Sequence, residues 1–461
     1  MSDLATLHDL VKREDWRGAF FVGNKLLNDN PESAEALYLH GSALRAIGYL
    51  GAALPLLTKA LSKEKRQPNL WMTYAATLHD LNRWDEAEKA FLVVHGMLPN
   101  DAMPLANIAA TYVQRGMWRD AANWCDKALA INPESHIARI SKGFACLSLG
   151  RWKEAWTYSE ALYGEHLNVR LYNDPPEPEW DGTKGQTVVV QCDQGVGDQI
   201  MFAQCIPQLQ ADCKDVIIEC AERLVGFFER NFPGVIVYGT LKKASADWPL
   251  NHKIDAHVHI SGLGKFYRNM DKDFPRQAYI TPEPARLERW QNWLSKFKRP
   301  WFGLGWKGGI QATQTHLRSM ALADLKPILD MPGSFIDLSY MDNSAEIAKW
   351  NIDNKAQVIR PPVDTGDYED TIALIAALDE MVSVTTSAVH VCGALGRSCH
   401  VLVPEIAQWR YAYRYGDSTQ MIWYPDSVKM YRQKPGEAGW THAVARIAKE
   451  LQKHEMKLHV A

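Results

Sequence analysis

The sequence predicts two architectures in series: an all-α repeat solenoid over residues 1–165, then an α/β region of two halves over 187–284 and 285–461, with a linker at 166–186. Three observations predict this. Alanine recurs at a step of 34 residues, at Ala19, Ala53, Ala87, Ala121 and Ala155. From Thr187 onward, short β-branched runs alternate with helical patterns, as parallel sheets require. Near Pro282 the alternation gives way to a charged helical stretch, Ala285 to Phe297, and then restarts.

The repeat has more than one column. Trp16, Leu50, Trp84, Trp118 and Trp152 keep the same step, as do Gly41, Ala75, Ala109 and Gly143, and Pro31, Pro99 and Pro133 close units with Lys65 in the missing slot. Small residues let two helices of a hairpin approach closely, while large apolar ones fill the space between hairpins. These columns resemble the tetratricopeptide repeat. Arg139 and Lys142 fall near apolar positions of the fifth unit, as in a terminal repeat facing solvent or another domain. Such a solenoid suits capture of an acceptor protein; it equally suits a spacer or a homo-oligomer contact, and the columns do not choose. Tyr172 to Lys184, YNDPPEPEWDGTK, reads as a semi-rigid connector.

The α/β region opens with Val188, Val189 and Val190, an unbroken apolar run suited to a strand buried on both faces. A turn with Gly195 and Gly197 follows, where main chain can bend sharply or meet a ligand closely. Ile200, Phe202, Ala203, Ile206 and Leu209 then recur at helical spacing, which sets Asp198 in a first helical turn at the cleft mouth. Strands are expected at 216–218, 235–237, 301–306, 335–338, 358–359, 381–384 and 400–403. Helices are expected at 222–230, 322–329, 344–350, 368–378, 387–395 and 442–451, the last crossing back over the seam between the halves.

Several residues invite chemistry on these elements. Thr385, Thr386 and Ser387 end a strand and open a helix, so free N–H groups, hydroxyls and the helix dipole converge as a diphosphate cradle. His390 follows Thr386 on the same helical face, and Gly393 permits close approach of sheet or ligand. Asp198 suits either a general base or a helix cap, and His390 either a ligand contact or a core histidine. Lys307 is a candidate cation or a solvated strand-end lysine; Asp370 reads first as a helix cap; Trp409 and Arg410 suit either stacking on a sugar or base, or packing at the seam with Trp423, Tyr424 and Pro425.

Taken together, GVGDQIMF, GLGWKGG with LRSMAL, YEDTIALIAALD, VTTSAVHVCGALG and WYPDSVKMYRQ resemble the glycosyltransferase domain that follows tetratricopeptide repeats in bacteria and their phages. The region is similar to glycosyltransferase family 9, the ADP-heptose:lipopolysaccharide heptosyltransferases, and more distantly to O-linked N-acetylglucosamine transferases. The resemblance implies a GT-B architecture of two Rossmann-like halves, acceptor on the first and nucleotide-sugar donor on the second, with an inverting, metal-independent reaction. It implies Asp198 as base and Arg318 as the cation that neutralises the diphosphate. It implies a donor-binding set of Gly195, Gly197, Trp306, Lys307, Ser319, Thr385, Thr386, Ser387, His390 and Gly393. Thr385 departs from the Asp-Thr pair of heptosyltransferase-like relatives, so either the donor differs or the second half is degenerate. The alternative function is a repeat-based adaptor or scaffold with an inactive transferase domain.

Composition bounds the rest. Of 461 residues, 23% are charged and 46% hydrophobic, as in ordinary globular proteins, and the net charge of −3 offers no bulk attraction to nucleic acid or anionic membrane. The eight cysteines include no CxxC pair, in keeping with a reducing cytoplasm; MSDLATLHDLVKRED shows no basic segment followed by an apolar core and no run reaches about 18 apolar residues, so a soluble, cytoplasmic protein without the usual export signal is expected. Asp271-Lys272-Asp273 fits the metal-binding D-x-D pattern, but its basic surroundings favour a solvated loop. His252, His257 and His259 lack ligand spacing, so no metal or other cofactor is expected beyond the nucleotide-sugar co-substrate.

Overall fold

The computed structural model describes residues 3–158, 175–192, 195–240, 247–309, 315–364, 366–413, 419–437 and 439–458, with side chains to residue 453. The chain divides into two compact units, Met1–Cys146 and Leu147–Ala461.

The first unit is a run of helix pairs: α1 (Asp3–Lys12) with α2 (Trp16–Asp29), α3 (Ala34–Ala46) with α4 (Leu50–Lys63), α5 (Pro68–Asp80) with α6 (Trp84–Met97), and α7 (Met103–Gln114) with α8 (Trp118–Ile131). Helix α9 (His136–Ser148) follows. The alanine column is wholly buried at Ala19, Ala53, Ala87 and Ala121. A side chain on Gly41 would lie 2.9 Å from Leu57, so this column sets how closely a pair can pack. Trp16, Leu50, Trp84 and Trp118 each open the second helix of a pair and are half-buried. Lys142, at an apolar slot, is buried instead of facing solvent, and Asp126 Oδ1 holds its ammonium at 2.7 Å.

One further column is visible only in the backbone. Glu14, Gly48, Asn82, Gly116 and Gly150 keep the 34-residue step, and all five have positive φ, from 57° to 89°. This left-handed residue ends the first helix of each pair and starts the turn. Glycine adopts it freely and asparagine tolerates it, whereas glutamate pays about 1–2 kcal/mol. Glu14→Gly is therefore expected to stabilise the first unit by about 1 kcal/mol. Urea unfolding checks this, and a lowered midpoint would contradict it.

The division at 146/147 falls within the fifth hairpin, earlier than the expected 165. Its second helix, α10 (Trp152–Ala155), belongs to the second unit because Trp152 packs there. Trp152 meets Phe274 and Tyr413 at ring-centroid distances of 4.8 and 5.1 Å and donates to Asp271 Oδ1 at 2.7 Å. Asp271 also accepts from Tyr413, and Asp273 Oδ2 caps the N–H groups of Asn269 and Met270, so the D-x-D stretch is a bonded corner, not a solvated loop.

The α/β unit holds two parallel sheets. The first is ordered β3-β2-β1-β4, from β1 (Thr187–Gln191), β2 (Asp215–Ala221), β3 (Ile236–Thr240) and β4 (Ala256–His259). The second is ordered β10-β9-β8-β5-β6-β7, from β5 (Trp301–Gly305), β6 (Ser334–Asp337), β7 (Val358–Ile359), β8 (Glu380–Val384), β9 (Cys399–Val403) and β10 (Val428–Arg432). In the second sheet the chain runs outward from β5 to β7, then crosses back to β8 and continues the other way. The change of direction leaves a crevice between the carboxyl ends of β5 and β8.

Helices flank both sheets: α11 (Val196–Ala203), α12 (Ile206–Asp212), α13 (Val225–Asn231), α14 (Pro284–Leu294), α15 (Ser344–Asp353), α16 (Tyr368–Ala377), α17 (Ser387–Ala394), α18 (Trp409–Ala412) and α19 (Thr441–Leu458). The single helix expected after Asp198 is two, because Pro207 cannot sit inside a continuous helix and instead opens α12. The last helix does not cross back. Ala443, Val444, Ile447 and Leu451 of α19 join Leu325, Ile328 and Leu402 in the core of the six-stranded sheet.

Of the connector, residues 172–174 lie outside the described residues. The rest is no free tether, since Trp180 is buried against Phe266 and its N–H donates to the His257 carbonyl at 2.7 Å along β4. Among the described residues no helix is long and apolar enough to cross a membrane, and the eight cysteines are free thiols.

Candidate functional site

The two halves meet where their strand-to-helix turns face each other. After β1 the chain passes Gly195, which caps α11, and puts Asp198 in the first turn. Neither Gly195 nor Gly197 adopts positive φ, so these glycines supply space rather than an unusual backbone. A side chain on Gly197 would lie 3.0 Å from His390 and 3.2 Å from the Ser387 backbone, which brings α11 directly against α17. Among the described residues, the atom that a side chain on Gly195 would meet first is Asp198 Oδ2, at 3.8 Å.

Asp198 and Arg410 form an ion pair between the two halves. Arg410 Nε donates to Asp198 Oδ1, with the two side chains only 16% and 14% exposed, and the guanidinium also lies 4.6 Å from the Trp409 ring centroid. The pair fixes one carboxylate oxygen, while Oδ2 is bonded to none of the described residues. Trp409 itself is buried, packed on Phe202 and Trp423. Of the two readings of Trp409, packing at the seam is the one its contacts show.

Arg318 comes from the loop after β5. Its Nε donates to the hydroxyl of Thr385 at 2.9 Å, and its Nη2 donates to the carbonyl of the same residue. Both partners are neutral, and among the described residues Arg318 makes no ion pair. Burial pulls its pKa down, with Arg410 acting the same way and Tyr411, Tyr340 and Asp198 opposing. The guanidinium stays charged at any physiological pH, and the groups that bond it among the described residues are both neutral. Thr385, which supplies both partners, brings no negative charge to it.

Beside Arg318, Thr386 caps α17 in extended geometry without spending its hydroxyl on the cap, and the first N–H groups of α17 lack helical acceptors. Ser387 Oγ accepts from Tyr368 at 2.8 Å. Ser319 Oγ accepts from the Gly308 N–H at 3.2 Å and shapes the glycine turn after β5, whose Gly308 packs against Thr386.

Other expected donor-site residues face elsewhere. Trp306 is wholly buried in the sheet core, where its indole donates to Glu346. Lys307 is paired with the same Glu346 at 2.6 Å. Burial opposes the ionisation of Glu346, but the Leu322 N–H, Lys307 and Trp306 together hold its pKa below the usual value. At Gly393 an added carbon would sit 2.2 Å from the Tyr424 ring, so this glycine admits a tyrosine rather than a ligand. Asp370 does not cap α16, since Asp367 does; it accepts from Arg289, the Trp290 indole and the Asp364 N–H instead.

His390 is 3% exposed, with Nδ1 bonded to Tyr424 at 3.3 Å and Nε2 to Tyr411 at 3.1 Å. It lies one layer behind the crevice and positions α17. Burial lowers its pKa to about 4, Asp198 opposing and Arg410 and Arg318 assisting. An unfolded histidine titrates near 6.5, so the unfolded chain takes the proton first. Stability is therefore complete above about pH 6.5 and falls as the pH drops toward 4, by up to roughly 3 kcal/mol. His390→Gln should flatten this part of the stability profile in urea titrations, and an unchanged slope would contradict the assignment.

Sequence reasoning placed Tyr424 at the seam but missed Tyr279, Tyr411 and the charge pairs that tie the halves together. Arg230 on α13 grips Glu369 on α16 with two hydrogen bonds of 2.6 and 3.1 Å. The Tyr279 N–H donates to the Ala394 carbonyl at 3.0 Å, and within the first half its hydroxyl donates to the Ile200 carbonyl at 2.6 Å. Among the described residues no group of three metal-ligating side chains is assembled.

Known proteins resemble parts of this chain. The family model for anaphase-promoting complex, cyclosome, subunit 3, matches residues 12–94. Protein FlbA of Caulobacter vibrioides is 26% identical over 474 aligned positions, spanning 97% of this chain and 77% of that protein. Among solved structures, MamA is 21% identical with a TM-score of 0.31 over 34% of this chain and 93% of its own. YrrB, a TPR protein with an unusual peptide-binding site, is 24% identical with a TM-score of 0.28 over 29% of this chain and 68% of its own. The family match and the 34-residue pairing of helices agree: the chain begins with tetratricopeptide-type repeats, an architecture suited to binding protein partners, followed by an α/β region of parallel sheets.

Proposed function

We propose that residues 187–461 form a GT-B glycosyltransferase of two Rossmann-like halves, which moves a sugar from a nucleotide-sugar donor to an acceptor hydroxyl with inversion. The observation that carries this reading is Arg318, a half-buried guanidinium with only neutral partners, set beside the open N-terminus of α17 at the crevice between β5 and β8. That combination calls for an anion, and a diphosphate fits it.

On this reading the acceptor hydroxyl approaches Asp198 Oδ2 while Arg410 keeps Oδ1 in place. The carboxylate takes the hydroxyl proton as the oxygen attacks the anomeric carbon. The bond to the diphosphate breaks, and the negative charge left on the nucleoside diphosphate is met by Arg318 and the α17 N–H groups. Thr386 and Ser319 shape the cradle, and His390 keeps α17 in place from behind. The repeats would bring a protein or glycan acceptor.

Incubation of the full chain with a panel of nucleotide-sugars, with release of free nucleoside diphosphate as readout, tests the proposal. One donor should be consumed, and Asp198→Ala should abolish its consumption. A second reading, an adaptor with an inactive transferase half, draws on Thr385 standing where an aspartate is expected. Consumption of any donor counts against it, and consumption of none favours it.

A further inference from the structure

The six-stranded sheet has a second concavity, away from the crevice. Its edge strand β10 lies two strands from β8, and α19 packs against it through Val444, Ile447 and Leu451, in one core with Tyr431. A short segment pairs with the free edge of β10: the Thr419 carbonyl accepts the Met430 N–H at 2.6 Å, and the Met421 N–H donates to the Val428 carbonyl at 3.0 Å. Between strand, helix and segment lies a cavity of about 280 Å³.

The cavity carries a surplus of positive charge. Lys429, Arg446, Lys449 and Lys453 line it, against one acid, Glu450. Glu450 already meets two of them, Lys429 Nζ at 3.0 Å and Lys453 Nζ at 3.8 Å. Among the described residues Arg446 and Lys449 pair with no carboxylate; the Arg446 guanidinium lies 5.4 Å from the Tyr431 ring centroid. That ring is buried, and its hydroxyl is bonded to His400 Nδ1 at 3.1 Å, so it makes a fixed floor under the guanidinium.

Neither composition nor the helix accounts for this cluster. The chain has a net charge of −3, so cations do not gather by excess. A helix dipole favours cations in the last turn, whereas Arg446 and Lys449 stand in the first half of α19. Three residues apart, they share a face and repel each other. An anion between them would relieve that repulsion.

We infer that this cavity binds a small soluble phosphate ester, with Arg446 and Lys449 as its main donors. A phosphomonoester carries about −1.5 to −2 charges at pH 7, which matches two cations without an acid. The planar fork of Arg446 suits two of its oxygens. Ligand pockets usually run from about 300 to 1,000 Å³, so this one suits a single phosphate group with a few carbons, not a polymer. The site is separate from the crevice and does not depend on transferase activity.

Calorimetric titration of the full chain with inorganic phosphate and with glycerol 3-phosphate tests the inference, in the wild type and in Arg318→Ala, which removes the cation of the crevice. Both proteins should bind glycerol 3-phosphate, and more weakly as salt is added. Arg446→Gln with Lys449→Gln, both exposed positions, should bind about tenfold more weakly or worse. Lys296→Gln with Lys298→Gln, an equal loss of charge at exposed positions after α14, should bind as the wild type does. No binding of either probe, binding lost with Arg318→Ala alone, or equal losses in the two double variants overturns the site. Retention on phosphatidylcholine vesicles containing phosphatidic acid, without binding of the soluble probes, overturns it in favour of a membrane surface. The wild-type titrations need no variant to fold.

Discussion

Asp198→Ala is expected to lower turnover by about 10²–10⁴-fold, the usual contribution of a positioned general base. Affinity for the nucleoside diphosphate should hardly change, because the carboxylate belongs to the acceptor side and repels phosphate. The variant also leaves Arg410 without its partner in a site only 16% exposed, so some loss of stability should accompany it. Asp198→Asn separates the two effects: it keeps a hydrogen-bond acceptor for Arg410 Nε but cannot take a proton at neutral pH. Initial-rate kinetics on both variants should give equally deep losses in kcat. Undiminished turnover in either would remove Asp198 from the mechanism.

Arg318→Ala is expected to act on the other half of the reaction. A hydrogen bond to a charged group contributes about 1.5–3 kcal/mol, so loss of the guanidinium should weaken nucleoside-diphosphate binding by about 10–100-fold. Arg318→Lys should recover only part of this, because an ammonium retains the charge but not the planar fork that holds Thr385 and two phosphate oxygens together. A titration in which alanine, lysine and arginine bind alike would mean that the anion sits elsewhere.

Much of the fold could be read from the sequence because its signals are local. The 34-residue columns of small residues report helix packing directly, and Val188 to Val190 marks a strand buried on both faces. The two strands missed, β4 and β10, lie at sheet edges. There the histidines of Ala256–His259 and the lysine and arginine of Val428–Arg432, all half-buried, break the apolar run. The turn column escaped notice because Glu14, Gly48, Asn82, Gly116 and Gly150 share a backbone angle rather than a chemistry.

The candidate site was legible as residues but not as pairings. Asp198 was expected in a first helical turn and lies in the first turn of α11, whereas Arg318 was expected only as a cation carried by a motif, with no element assigned to it. What each touches depends on chain separations of 212 residues for Asp198 with Arg410 and 67 for Arg318 with Thr385. No spacing rule spans such distances. Trp306, Lys307 and Gly393 looked like site residues because they stand beside the right strands, yet their side chains or space are taken by Glu346 and Tyr424.

The central claim is that the crevice between β5 and β8 binds a nucleoside diphosphate through Arg318. The most direct measurement is thermal unfolding of the wild-type chain and Arg318→Ala in the presence of adenosine, guanosine, uridine and cytidine 5′-diphosphates. At a hundred times its dissociation constant a ligand adds about 2.7 kcal/mol to the state it binds. The account predicts that one diphosphate raises the unfolding temperature of the wild type and leaves Arg318→Ala where it was. No shift with any of the four, or the same shift in both proteins, would contradict it.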